Sequence, residues 1–261
     1  MIPGLKAVVF DWAGTMIDFG SRAPVVALCK LFEAEGVALE EAEARADMGL
    51  AKRDHIAAIL RSPRVAAAWH ARHGASADTA TIDRLFGAIG PMMREAASEC
   101  AVLIPGAADV ARALRANGVK IGSCTGYTRA MMADILPAAA AQGYSSDVLV
   151  CAGDTAQGRP SPLMLWENLI QLEAWPVSAC VKVDDAAVGI AEGRNAGVWT
   201  IGVAASGNGV GLSEQALAAL PEGERQSRIA AARHVLEAAG AHLVIDTVAD
   251  LPEALARLPI S

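Results

Sequence analysis

Aromatic residues make up only 4% of the 261 positions, and much of the 53% hydrophobic content is alanine. That balance favours helices packed closely on a sheet. No apolar run is long enough to cross a membrane. Nor is there a basic block: 22 Lys and Arg stand against 29 Asp and Glu, a net charge of −7, which argues against a nucleic-acid partner. The N-terminal stretch lacks a signal-peptide apolar region, since Ala7–Phe10 runs straight into Asp11. No CxxC pair occurs among Cys29, Cys100, Cys124, Cys151 and Cys180. They read as reduced thiols of a cytoplasmic protein, and Cys124 as a small core residue at a strand end. Internal repeats and low-complexity segments are absent as well. The Gly- and Ser-rich stretch 202–214 lacks the Lys and Ser/Thr of a phosphate-binding loop and reads as a surface loop.

What is present is a series of short apolar runs suited to buried parallel strands: 6–11, 119–124, 147–152, 179–185, 198–203 and 241–246. Helical patterns such as 107–118 and 187–197 separate most of them. The alternation predicts an α/β fold with a doubly wound, Rossmann-like parallel sheet. The first two runs are exceptional, because about 80 residues with no strand signal lie between them. Four helical segments are expected there, over 23–36, 39–60, 62–74 and 78–100. So long a crossover reads as an inserted helical cap domain, residues 21–100, on a core of 1–20 and 101–261. Its two links, Asp18–Ser21 and Glu99–Pro105, would form the hinge of a lid.

In doubly wound sheets, ligands gather at the carboxyl ends of the strands. That rule collects Asp11, the Ser123–Gly126 segment, Asp184 with Asp185, and Arg159 between Gly158 and Pro160. Singly, each has a plain reading. Asp11 would serve as a helix N-cap, Thr125 with Gly126 as a turn, and Arg159 as a solvated loop charge. Together they supply a carboxylate, a hydroxyl, a fixed guanidinium and a pair of adjacent acids at one sheet edge. Two neighbouring carboxylates repel unless a cation lies between them, and a hard ion such as Mg²⁺ prefers oxygen ligands. A guanidinium suits a pair of phosphoryl oxygens.

The motifs VFDWAGT (9–15), SCTGY (123–127), GRP (158–160) and VDDA (183–186), in that order, resemble the haloacid-dehalogenase superfamily. MGLAKRDH (48–55) and EGRNAG (192–197) narrow the resemblance to its phosphonatase family, along nearly the whole chain. The resemblance implies a Mg²⁺-dependent hydrolase of a small phosphonate, phosphonoacetaldehyde, acting as a homodimer. It also implies that Asp11 is the nucleophile and that Mg²⁺ is held by Asp11, the Ala13 carbonyl and Asp185, with Asp184 close by. Arg159, Thr125 and the backbone N–H groups near Trp12 and Gly126 would bind the phosphonate. Many superfamily members carry a further acid four residues beyond the metal aspartate, where this chain has Gly189.

Most phosphatases of this kind have a second acid at position 13, which protonates an oxygen leaving group. This chain has Ala13, and a carbon–phosphorus bond has no such oxygen. Direct cleavage would expel a carbanion, so the chemistry calls for a lysine imine that accepts the electrons as an enamine. Lys52 is the candidate. Met48, Lys52 and His55 are spaced to share one face of a helix, and His55 with Tyr127 would move the proton. The alternatives are a Mg²⁺-dependent phosphatase on the same fold, or a non-catalytic phosphate-binding protein on this scaffold.

Overall fold

A computed structural model describes residues 4–260 of the chain. All six expected strands form: β1 (Ala7–Phe10), β2 (Lys120–Thr125), β3 (Val148–Cys151), β4 (Cys180–Asp184), β5 (Trp199–Val203) and β6 (Leu243–Ile245). They make one parallel sheet in the order β3-β2-β1-β4-β5-β6. Both faces of such a sheet are covered by helices, so its strands are apolar throughout. β1 accordingly reads Ala-Val-Val-Phe and is wholly buried. The chain turns from one half of the sheet to the other at β1, which places the switch-point crevice over its carboxyl end.

Five helices fill the long crossover after β1: α1 (Ala23–Ala34), α2 (Glu41–Arg45), α3 (Lys52–Arg61), α4 (Pro63–His73) and α5 (Thr79–Cys100). Local signals set their ends. Pro63 opens α4 and left-handed Gly74 closes it, while the Asp78 carboxylate caps α5 by accepting from Thr81 N at 2.8 Å. α1 and α5 pack along one another around Leu28, Phe32, Leu85, Ile89 and Met93. This apolar core runs on without a break through Met16, Ile17, Tyr127 and Met131 into the core under the sheet. Asp18 N donates to Val102 O at 3.0 Å, which ties the two links of the insert together.

The remaining helices alternate with the strands. They are α6 (Ala107–Ala116), α7 (Arg129–Met132), α8 (Ile135–Ala141), α9 (Leu163–Gln171), α10 (Ala187–Ala196), α11 (Glu214–Ala218), α12 (Glu222–Ala238) and α13 (Leu251–Ala256).

Two expectations need correction. Residues 39–60 do not form one helix, because α2 ends at Arg45 and α3 begins at Lys52. The break centres on Gly49, whose φ of +96° is left-handed and whose added Cβ would lie 2.6 Å from Val188 Cγ1. Residues 202–214 are not simply a surface loop either. Ala204, Ala205 and Ser206 are buried, and Ser206 Oγ donates to Gly14 O at 2.8 Å. That segment fills the space beside the turn after β1, where a solvated loop would leave backbone polar groups unpaired. No helix among the described residues is long and apolar enough to cross a membrane.

Candidate active site

Strand register decides which side chains meet. Phe10 lies opposite Ser123 on one side and Val183 on the other, so Asp11, Thr125 and Asp184 emerge together at one sheet edge. A pocket at this edge is lined by Asp11, Ala13, Thr125, Gly126, Tyr127, Arg159 and Asp185 from the sheet side. Met48, Gly49 and Lys52 close it from the insert. The space free inside it is about 20 Å³, room for roughly one water.

The sheet side holds a dense group of buried charges. Arg159 Nη1 lies 2.8 Å from Asp11 Oδ1 and 3.5 Å from Asp184 Oδ2, and its Nε lies 3.1 Å from Glu192 Oε2. Lys182, also buried, lies 3.1 Å from Asp184 Oδ2 and 3.2 Å from Glu192 Oε2. Carboxylate oxygens of Asp11, Asp184 and Asp185 come within 4.8 Å of one another. Burial pushes the Asp11 carboxyl up to about 6, against the pull of Arg159. Burial also drives Asp185 well above the usual carboxylate range, with Asp11 and Asp184 adding to the rise and the Asn208 N–H opposing it. Such mutual repulsion is what a divalent cation relieves. The donor set fits one, since it is all oxygen and the Ala13 carbonyl accepts no backbone donor among the described residues.

Position 189 bears on this cluster. A Cβ there would stand 2.0 Å from Asp184 Oδ2, so the carboxylate of Asp184 occupies the space that a side chain at 189 would need. Groups able to donate to an anion complete the edge. Thr125 is buried, and its Oγ1 accepts from Tyr127 N at 3.2 Å. The N–H groups of Trp12 and Gly126 have no backbone acceptor among the described residues. The Trp12 side chain itself turns away into the core, against Tyr144 at 5.2 Å between ring centroids.

The insert side is sparse by contrast. Lys52 opens α3 and is 2% exposed. Burial lowers its pKa to about 8, with Asp11 pulling it up and Arg159 pushing it down. Its Nζ sits 5.5 Å from the centroid of the Tyr127 ring. One helical turn on, His55 is buried and held neutral: burial, then Lys52, push its pKa down to about 3. Burial raises the Tyr127 phenol well above its ordinary value, so it keeps its proton, and its hydroxyl has no hydrogen-bond partner among the described residues.

The structure gathers Asp11, Ala13, Met48, Lys52, Thr125, Gly126, Tyr127, Arg159 and Asp185 around one pocket, with Asp184 behind Asp11 and Asp185, whereas His55 is buried one turn beyond Lys52 and does not line it. Met48 reaches the pocket from the turn before α3 and not from the helix face it was expected to share with Lys52 and His55. Sequence reasoning missed Lys182, Glu192 and Asn208. Lys182 carried a signal, as a charge inside an apolar strand two residues before Asp184 and therefore on the same sheet face. Glu192 stands on α10 with nothing in the sequence to aim it at Arg159.

Comparison with known proteins bears directly on this geometry. The haloacid dehalogenase-like hydrolase family model matches residues 5–197. The chain is 51% identical to a phosphonoacetaldehyde hydrolase of Paraburkholderia xenovorans over 95% of this chain and 92% of that one. It is 45% identical to a phosphonoacetaldehyde hydrolase of Hahella chejuensis over 96% and 85% respectively. Among solved structures, a phosphonoacetaldehyde hydrolase-like protein from Oleispira antarctica superposes with a TM-score of 0.97 at 43% identity, covering 98% of this chain and 93% of that one.

Proposed function

The chain belongs to the haloacid dehalogenase-like hydrolases, and on that premise we propose how its pocket splits the carbon–phosphorus bond of phosphonoacetaldehyde into acetaldehyde and phosphate, with Lys52 as imine-forming amine and Asp11 as nucleophile. Hydrolysis of this substrate follows from similarity that spans nearly the whole chain. The observation that carries the residue roles is a buried amine, its pKa lowered to about 8, lining the same small pocket as a buried carboxylate at the sheet edge.

An amine adds to an aldehyde only when neutral, and an ordinary lysine is almost wholly charged at neutral pH. With a pKa of about 8, Lys52 offers a substantial neutral fraction. Its nitrogen bonds to the aldehyde carbon, water leaves, and a cationic imine remains. An Asp11 oxygen then bonds to phosphorus while the phosphorus–carbon pair moves into the imine, giving an enamine and an aspartyl phosphate. Protonation at carbon and addition of water release acetaldehyde and restore the amine. A second water splits the acyl phosphate. Tyr127, held protonated, is suited to donate a proton at the pocket, while His55, its pKa pushed down to about 3, stays a neutral neighbour one turn from Lys52 and would take up a proton only once the insert lifts and hydrates it.

Asp11, Asp185 and the Ala13 carbonyl would hold Mg²⁺, with Asp184 behind them. When bound it would offset the negative charge that otherwise opposes attack of a carboxylate on a phosphonate. Arg159, gripped by Asp11, Asp184 and Glu192, keeps its guanidinium at the pocket wall to receive phosphonate oxygens. Ala13 leaves no acid where none is needed, since no ester oxygen departs. Met48 supplies apolar cover over the imine. A pocket this small admits substrate only when the insert lifts, so residues 21–100 would serve as its lid. A homodimer and a cytoplasmic location belong to the same proposal; the five free thiols support the second.

Incubation with phosphonoacetaldehyde and Mg²⁺ should give acetaldehyde and phosphate in equal amounts, and borohydride added with the substrate should alkylate Lys52. Alkylation of Lys120 or Lys182 instead would overturn the assignment.

A further inference from the structure

Outside the pocket, one insert residue is bound more thoroughly by the α/β core than any structural role on its own short helix requires. Arg45, the last residue of α2, points its guanidinium across the junction with 13% of its side chain exposed. Nη1 donates to Gly20 O at 2.9 Å, to Ser21 O at 3.3 Å and to Asn208 Oδ1 at 3.1 Å. Nη2 donates to Gly211 O at 3.0 Å and to Glu41 Oε1 at 2.8 Å. Asn208 returns a bond, Nδ2 to Arg45 O at 3.2 Å. The core backbone is shaped to admit the group, because a Cβ on left-handed Gly211 would lie 2.8 Å from Arg45 Cζ.

The same asparagine touches the acid cluster. Asn208 N donates to Asp185 Oδ2 at 2.7 Å, a charge-assisted bond that fixes the direction of that carboxylate. Gly20 N meanwhile donates to Ser206 O at 2.7 Å, so the first link of the insert and the 206–211 segment form one bonded unit around Arg45.

We propose that Arg45 is a positioning residue that couples seating of the insert to the orientation of Asp185, acting through Asn208. The inference rests on the reading of the acid cluster as a Mg²⁺ site. Its logic is differential contact: Asn208 Oδ1 and the Gly211 carbonyl meet the Arg45 guanidinium only when the insert is seated against the core. A cation that orders Asp185 therefore favours the seated insert, and the seated insert favours the cation by the same factor. Seating brings Lys52 over Asp11, so metal binding readies the imine-forming side of the pocket without touching it.

The test is calorimetric titration of Mg²⁺ into substrate-free wild type, Arg45→Ala, Asn208→Ala and the double variant, beside steady-state kinetics. Asn208→Ala keeps the backbone N–H on Asp185 and removes only the link to Arg45. Each single variant should weaken Mg²⁺ binding by about tenfold and raise KM while leaving kcat within about threefold. The double variant should be no weaker than the worse single one. Arg45→Lys should recover only part of the loss, because an ammonium cannot match the fork that reaches Gly20, Asn208 and Gly211 together. Unchanged Mg²⁺ affinity in both single variants, fully additive losses, or a fall in kcat at constant KM would overturn the coupling. Wild-type protein that turns over substrate yet binds no Mg²⁺ would sink the metal assignment together with it.

Discussion

On the sheet side of the pocket each buried cation faces carboxylates: Arg159 has three within 4 Å and Lys182 has two. On the insert side Lys52 stands in no such pair among the described residues and faces the Tyr127 ring instead. Both environments are dry, yet they do opposite things to a base. Burial in company raises Arg159 well above its ordinary value and raises Lys182, whereas burial without a carboxylate partner lowers Lys52 to about 8. Desolvation penalises charge in every case, and the neighbours decide whether the penalty is met. The sheet side thus holds its cations charged, and the insert side holds one amine that gives up its proton more readily than an ordinary lysine.

The sharpest way to break this division is to disable each side separately. Asp11→Asn and Lys52→Arg should each abolish turnover, by about 10⁴-fold or more, the scale seen when a covalent nucleophile is lost. They should differ in trapping. Asp11→Asn retains the amine, so substrate with borohydride should still label Lys52, whereas Lys52→Arg should take no label because a guanidinium forms no imine. Mass spectrometry of the trapped protein reads the result. Loss of labelling in Asp11→Asn would mean that the two sides do not act in separate steps.

The sequence disclosed the sheet side more fully than the insert side, for a physical reason. Apolar runs of four to six residues fix strands, and a parallel sheet carries the residue after each strand to a common edge, so Asp11, Thr125 and Asp184 were placed by chain order alone. Lys52 had no such rule. Its expected position on one long helix with Met48 was wrong, because helical spacing continues across Gly49 while the backbone does not. The charge partners Lys182 and Glu192, and the Arg45–Asn208 contact, depend on which helix packs over which strand end. Spacing along the chain carries no information about that.

A stability measurement sharpens the comparison from the other direction. At pH above about 10.5 the Lys52 amine is neutral in folded and unfolded chains alike, and its burial carries no charge penalty. As pH falls toward 8 the unfolded chain takes up the proton and the folded one resists, so stability from this group declines; below about 8 both are protonated and the penalty is complete. At ~1.4 kcal/mol per unit the penalty approaches about 3 kcal/mol. Lys52→Met keeps the volume and removes the charge. It should therefore melt higher than wild type at pH 7, by the equivalent of up to about 3 kcal/mol, with the gap narrowing as pH rises to 10. A gap that stays constant with pH would mean the amine is not desolvated.

The smallest expected effect tests where the two sides touch. Gly126 needs no side chain because the insert turn rests on it: a Cβ there would lie 2.7 Å from Leu50 O and 3.0 Å from Gly49 O. Both obstructing atoms are backbone carbonyls, which cannot rotate away as a flexible side chain could. Gly126→Ala should therefore lift the turn slightly from the sheet edge and draw Lys52, two residues beyond Leu50, away from Asp11. The fixed charges stay in place, since Arg159 is held by core groups only, three carboxylates and the Cys124 carbonyl. The expected outcome is a rise of about tenfold in KM for phosphonoacetaldehyde, because the seated state is less populated. Competitive inhibition by inorganic phosphate, which needs only the sheet side, should stay within about twofold of wild type, since alanine keeps the backbone N–H at position 126. Equal weakening of both ligands would show that the added methyl displaces the Gly126 N–H from the anion site and that the insert does not bear on it as a separate body.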